Sequence, residues 1–126
     1  MSRIYTGIGI LLLLLAVCCS ASFAIPKLHL DISRQLEQAA HCAKQENWPQ
    51  ATRLAAQAAQ DWKRAYDLTA VTADHSPAEE IDALFAALEQ YAALEEVSDF
   101  AATAMELSHL TTALGSGHRF SWWNFL

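Results

Sequence analysis

The chain offers little covalent reinforcement. Three of its 126 residues are cysteine, and two of these, Cys18 and Cys19, sit inside an apolar run. Only Cys42 is left for the remainder, so a disulfide within a folded domain is excluded. Cys42 reads as a small buried helix residue. The lack of bridges neither supports nor excludes export. Basic residues are missing from a long stretch. Residues 65–118 hold no Lys or Arg but ten acids: Asp67, Asp74, Glu79, Glu80, Asp82, Glu89, Glu95, Glu96, Asp99 and Glu106. Residues 27–64 hold six basic and four acidic side chains. An acidic half of this kind repels phosphate, which disfavours nucleic acid as a partner. Its plain reading is a solvated face, and its functional alternative is a basic partner or divalent cations. There is no nucleophile elbow, phosphate loop or Cys-x-x-Cys pair, and no small-molecule substrate is evident.

The chain does have an apolar front. Residues 4–24 are 21 consecutive uncharged residues with five leucines at 11–15. As a helix this run is about 30 Å long, the thickness of a bilayer's hydrocarbon core. Ser22-Phe23-Ala24 satisfies a small-x-small cleavage site, but the run is longer than an ordinary signal core, which favours a retained anchor. Neither Cys18 nor Cys19 follows the small residue that a lipid-modified cysteine requires. Arg3 on one side and Lys27 and Arg34 on the other leave the charge rule for orientation undecided. A short basic stretch before an apolar core is the usual arrangement for exporting the downstream residues, so an extracytoplasmic domain is expected.

Residues 27–126 are the length of one small domain. Alanine dominates it and buries little area per residue, so a thin core is expected to rely on Trp48, Trp62, Phe85, Tyr91 and Phe100. Pro26 is expected to end or bend the membrane helix. Four helices come after it. The first spans about 31–46, with Ile32, Leu36, Ala39 and Ala43 on one face. The second opens at Asn47-Trp48-Pro49-Gln50 as a capping box and carries the seam Trp48, Ala51, Ala55, Ala58, Trp62, Ala65, Thr69. Ser76-Pro77-Ala78-Glu79 caps the third, whose apolar side is Ile81, Leu84, Phe85, Leu88, Tyr91 and Ala92. The fourth starts near Ser98 with Val97, Phe100, Ala104, Leu107, Thr111 and Leu114, and Gly115-Ser116-Gly117 is expected to stop it. A shift of 49 residues sets Glu46 on Glu95, Trp48 on Val97, Ala51 on Phe100 and Ala55 on Ala104, so the two hairpins are weakly alike. The expected fold is all-α: an N-terminal transmembrane helix (1–26), a small four-helix bundle of two antiparallel hairpins (27–117), tetratricopeptide-like or up-down, and an aromatic tail (118–126).

Few positions carry chemistry. Asp74-His75, with Glu79, Glu80 and Asp82, is the one cluster resembling a metal or proton-transfer site. Ser76 and Glu79 are already explained by the helix cap, which leaves His75 a structural or hydrogen-bonding role. His29, His41, His109 and His118 show no mutual ligand spacing. Trp48 and Trp62, two heptads apart on one seam, read as core. The tail, with Phe120, Trp122, Trp123, Phe125 and Leu126, is too apolar to be left in water. It is expected to fold back over the helices, with an interfacial membrane contact or a partner site as the sharper alternatives.

Taken in order, the short apolar front, Glu46-Asn47-Trp48 with Ala51, the second tryptophan Trp62, Asp74-His75 before the acidic start at 79–82, and a tail with Ser121 and Asn124 resemble the bacterial domain-of-unknown-function family 4363. The resemblance covers essentially the whole chain. The alanine-rich second helix and the doubled tryptophan of the tail depart from the family pattern, which puts any shared partner surface in doubt. The resemblance implies an anchored helical domain and no reaction. The expectation is therefore a non-enzymatic domain at the bacterial cell membrane, without catalytic, cofactor or metal residues. Its possible interaction or structural positions are Trp48, Trp62, Asp74, His75, Trp122 and Trp123, and its partners are the membrane and an unknown envelope protein. The alternatives are a secreted form after cleavage and a metal-dependent activity at His75.

Overall fold

The computed structural model describes residues 1–69 and 76–120. Among them there are four helices and no strand: α1 (Ser2–Lys44), α2 (Trp48–Thr69), α3 (Ser76–Ala93) and α4 (Val97–Phe120). The chain is all-helical. The expected break at Pro26 does not occur, and the apolar run and the first domain helix are a single helix of 43 residues, about 64 Å long. Proline in a helix interior removes one i→i−4 bond and costs about 3 kcal/mol. Here the helix is held on the C-terminal side of Pro26 by tertiary packing, since Ile32, Leu36, Ala39 and Ala43 are fully buried. Pro49 and Pro77, each the second residue of its helix, sit where the missing N–H costs nothing.

The apolar stripes assemble largely as their periodicity requires. Ala51, Ala55, Ala58, Trp62 and Ala65 of α2 meet Ile81 and Leu88 of α3 and Phe100, Ala104 and Leu107 of α4 in one core. Trp48 is half-buried at its edge, with its ring set edge-on against Phe100 at 5.4 Å between centroids. Each helix packs against two others: α1 and α3 both lie against α2 and α4, and the α1–α4 interface is the most extensive. By contrast, α1 residues 3–20 bury nothing.

The two short connections are copies of one backbone motif. After α1, Glu46 takes φ 58°, its N–H bonds to the Ala43 carbonyl at 2.9 Å, and the Asn47 N–H reaches the Cys42 carbonyl at 2.9 Å. After α3, Glu95 takes φ 54°, its N–H bonds to Ala92 at 3.2 Å, and the Glu96 N–H reaches Tyr91 at 3.0 Å. This is the Schellman termination, with a left-handed residue satisfying the orphan carbonyls. The two left-handed residues are 49 apart, so the weak internal similarity falls on matching turns. The capping box expected at Asn47 and Gln50 does not form. The Asn47 N–H is used by the turn, and the Gln50 side chain accepts from Arg53 Nε at 3.2 Å. A second correction concerns α4, which runs through Gly115 instead of stopping there. Packing against α1 favours one more helical turn over a glycine exit. The side chain of Ser76, the segment with Asp74 and His75, and the tail with Trp122 and Trp123 lie outside the described residues.

A non-glycine residue in the left-handed region costs about 1–2 kcal/mol, and both glutamates here are solvent-exposed. Glu46→Gly and Glu95→Gly should therefore each stabilise the fold by roughly 1 kcal/mol. Thermal unfolding followed by circular dichroism checks this, and a fall in melting temperature for both would contradict the turn assignment.

Candidate functional site

The alternation of small and polar residues along α1 and α4 builds a feature that the apolar stripes do not reveal. His29, Ser33 and Glu37 follow one another at four-residue intervals on α1, and Ala104, Ser108 and Thr112 do the same on α4. Four-residue spacing puts each set on one helix face. The two faces meet antiparallel. Ser33 Oγ lies 2.7 Å from Ser108 Oγ, Ser108 Oγ donates to Glu37 Oε1 at 3.1 Å, and Thr112 Oγ1 donates to Ser33 Oγ at 3.1 Å. If Ser108 gives its proton to Glu37, Ser33 must be the donor to Ser108. The chain of hydroxyls then runs in one direction, from Thr112 to the exposed carboxylate. Thr111 Oγ1 also donates to the Leu107 carbonyl of its own helix at 2.9 Å, and the single Thr112 hydroxyl proton is shared between Ser33 Oγ and the nearer Ser108 carbonyl at 2.8 Å. Ser33 and Ser108 are buried. The network joins two helices by satisfied buried polar groups.

One turn further along, the backbone of α4 at Gly115 lies against the His29 side chain of α1. A Cβ on Gly115 would stand 3.0 Å from the Cβ of His29, so the glycine favours this close approach, and a larger side chain would have to push the helices apart. His29 is 4% exposed. Its ring lies 6.2 Å from that of Trp62, and Trp62 lies 6.3 Å from Tyr66. The indole N–H of Trp62 donates to Asp82 Oδ1 at 2.9 Å and ties α2 to α3. Beside it, Gln35 Nε2 donates to Asp61 Oδ2 at 3.0 Å, and Asp61 pairs with Arg64 at 3.7 Å. This end of the domain therefore combines an aromatic row with the polar seam.

Of the expected positions, Trp48 and Trp62 are among the described residues, and they lie apart. Trp62 is buried here, and Trp48 is 14 residues away on the same helix, about 21 Å along its axis. Of the acids placed with His75, Glu79 and Glu80 are exposed, and Asp82 serves the indole. Among the described residues no three His, Cys, Asp or Glu side chains cluster around a metal-sized space. His29, Ser33, Ser108, Thr112 and Gly115 are hard to single out from sequence because a hydroxyl or a glycine inside a helix stripe weakens an apolar pattern. The four-residue spacing shared by His29 and Ser33 on α1 and by Ser108 and Thr112 on α4 is the signal that was present. A further surface feature is an apolar groove of about 270 Å³ between α2 and α3, lined by Thr52, Ala55, Ala56, Ala59, Phe85 and Leu88 among others. It exists because alanines leave the space between these helices unfilled.

Substitutions at three positions probe this construction. Trp62→Ala should cost about 3–5 kcal/mol as a buried aromatic truncation. Asp82→Ala should cost about 1–2 kcal/mol for the lost charged acceptor, and close to nothing in a Trp62→Phe background, where the donor is already gone. A double-mutant cycle by urea unfolding reads the coupling. At Gly115, alanine should bring no net stabilisation despite its better helix propensity of about 1 kcal/mol, and Gly115→Val should destabilise by roughly 1–3 kcal/mol through forced helix separation.

The comparison with known proteins gave one finding. No curated protein and no solved structure matches the chain. The family model described as a domain of unknown function (DUF4363) matches residues 21–125, from the end of the apolar run through the tail. The chain thus belongs to that domain-of-unknown-function family, DUF4363.

Proposed function

We propose that this protein is a membrane-anchored, non-enzymatic helical domain that engages another protein at the bacterial cell envelope. The observation that carries this reading is the continuity of α1. One helix is long and apolar enough over Arg3–Ser20 to cross a membrane, and the same helix supplies Ile32, Leu36 and Ala43 to the core. A domain built on its own membrane helix is held at the bilayer in a defined orientation. The extensive contact between first and last helices favours an up-down four-helix bundle over a tetratricopeptide-like stack, in which the first and last helices would stay apart. The interaction role is supported by the α2–α3 groove and by the exposed acids of α3 and α4, from Glu79 to Glu106. Among the described residues these acids meet no basic side chain.

A second reading, a secreted domain after cleavage near Ala24, is favoured by one observation. The first described α1 side chains that pack against the rest are Leu28 and His29. Removal of the apolar run would therefore leave the core formed by the described side chains complete.

Alkaline carbonate extraction of native membranes separates the two. The anchored reading expects full-length protein in the pellet, whereas a soluble species beginning at Ile25 would establish cleavage. For the partner, a photo-crosslinker at Ala56, exposed on the groove, should give one discrete adduct in native membranes. Absence of any adduct there and at exposed α3 and α4 positions would count against an interaction module.

A further inference from the structure

Two rows of side chains border the α2–α3 groove, and their spacing matches. On α2, Arg53, Ala56, Gln60 and Lys63 follow at steps of three, four and three residues, and on α3 Glu79, Asp82, Ala86 and Glu89 follow at the same steps. Such steps keep each row on one helix face. All eight residues are exposed. The six residues between α2 and α3 are too few to return along a helix of 22 residues, so the two helices run antiparallel. The bond from Trp62 to Asp82 sets residue 62 level with residue 82. Counted from that bond, Arg53 stands level with Glu89, Ala56 with Ala86, Gln60 with Asp82 and Lys63 with Glu79, each within about two residues or 3 Å. Within one chain the rows lie on either side of the groove, and among the described residues no ion pair joins them.

We propose that this groove is closed by a second copy of the chain, packed about a two-fold axis that runs along it. The inference rests on the reading of the groove as an interaction surface and names what covers it. A rotation about such an axis leaves every residue at its own height and carries α2 of one copy over α3 of the other. Arg53 then meets Glu89, Lys63 meets Glu79 and Gln60 meets Asp82, with Ala56 on Ala86 between them. Because the contact is isologous, each of these pairs occurs twice. The ends are opposite in charge, and the middle is small enough for the helices to close. An axis across the helices would instead lay α3 on α3, acid against acid. Exposed ion pairs add little affinity, but they select register and partner. Covering the half-buried Phe85 and the alanines of the groove supplies an apolar contribution, and confinement to one membrane raises the effective concentration. An axis along the helices also points both apolar runs, Arg3–Ser20, the same way, as a shared bilayer requires. Asp99 and Glu106 of α4 stay outside this contact, open to an unlike partner.

The test uses the full-length chain in phosphatidylcholine vesicles, in two forms tagged with a fluorescent donor and acceptor. Wild-type copies should show energy transfer that falls as lipid dilutes them. Arg53→Glu/Lys63→Glu alone and Glu79→Lys/Glu89→Lys alone should each weaken association about tenfold, since like charges then face one another. All four positions are exposed, so circular dichroism should show an unchanged fold. A mixture of the two variants should recover the transfer, because every pair across the contact is again opposite in charge. Absence of transfer in the wild type, variants that associate as well as it does, or a mixture without recovery would each overturn the inference. The axis is read by disulfide formation between Ala56→Cys in one form and Ala86→Cys in the other, with Cys18, Cys19 and Cys42 replaced by alanine. A bridge from Ala56→Cys to itself in place of this one would overturn it. An Ala56 photo-adduct with an unlike protein, and no association between copies, would overturn this inference alone. No adduct at any exposed position would remove the interaction reading and the inference with it.

Discussion

The close approach of α1 and α4 is the constraint on which the rest of this structure depends. It is possible because the facing residues are small: Ala104 and Ser108 sit opposite the α1 core face, and Gly115 has no Cβ to meet His29. Close approach buries hydroxyls, and a buried hydroxyl without a partner is costly. The geometry resolves this by letting Thr112, Ser33, Ser108 and Glu37 satisfy one another across the interface. Apolar packing alone would hold two helices at many registers. A run of directed hydrogen bonds holds them at one, and the heights of the helix ends and of the aromatic row depend on that register.

Because α1 is also the apolar helix, the same contact links the domain to the front of the chain. The expected domain boundary at 26/27 is crossed by an uninterrupted helix, so no flexible linker separates the apolar run from the core. The weaker side of the structure is opposite, between α2 and α3, where alanines leave a groove and the indole bond from Trp62 to Asp82 is a principal polar tie. An alanine-rich helix suits this division. It packs tightly where small residues face small residues and leaves space where they face Phe85 and Leu88.

The matching turns after α1 and α3 show how much of the architecture is local. Each uses a glutamate at the left-handed position, where glycine is the unstrained choice, and each returns the chain through two backbone bonds to the end of the helix just finished. The strain is small beside the core contacts it permits, which is why an unsuited residue is tolerated twice at equivalent places.

Much of the fold was legible from periodicity. The stripes Ile32-Leu36-Ala39-Ala43, Ala51-Ala55-Ala58-Trp62 and Phe100-Ala104-Leu107-Thr111 are all buried, because a 3.6-residue period places them on one face whatever the partner is. The charge-free length of the front and the acidic character of α3 and α4 were equally direct, since both are properties of composition. Tertiary structure alone decided three things. It overrode Pro26 and Gly115, because a helix held on its flank by packing survives a residue that would end it in isolation. It turned Asn47 from a side-chain cap into a turn donor. It also made a hydroxyl seam out of Ser33, Ser108 and Thr112, whose meaning lies in an interface between residues some 75 positions apart in the chain, a distance that no local pattern can encode.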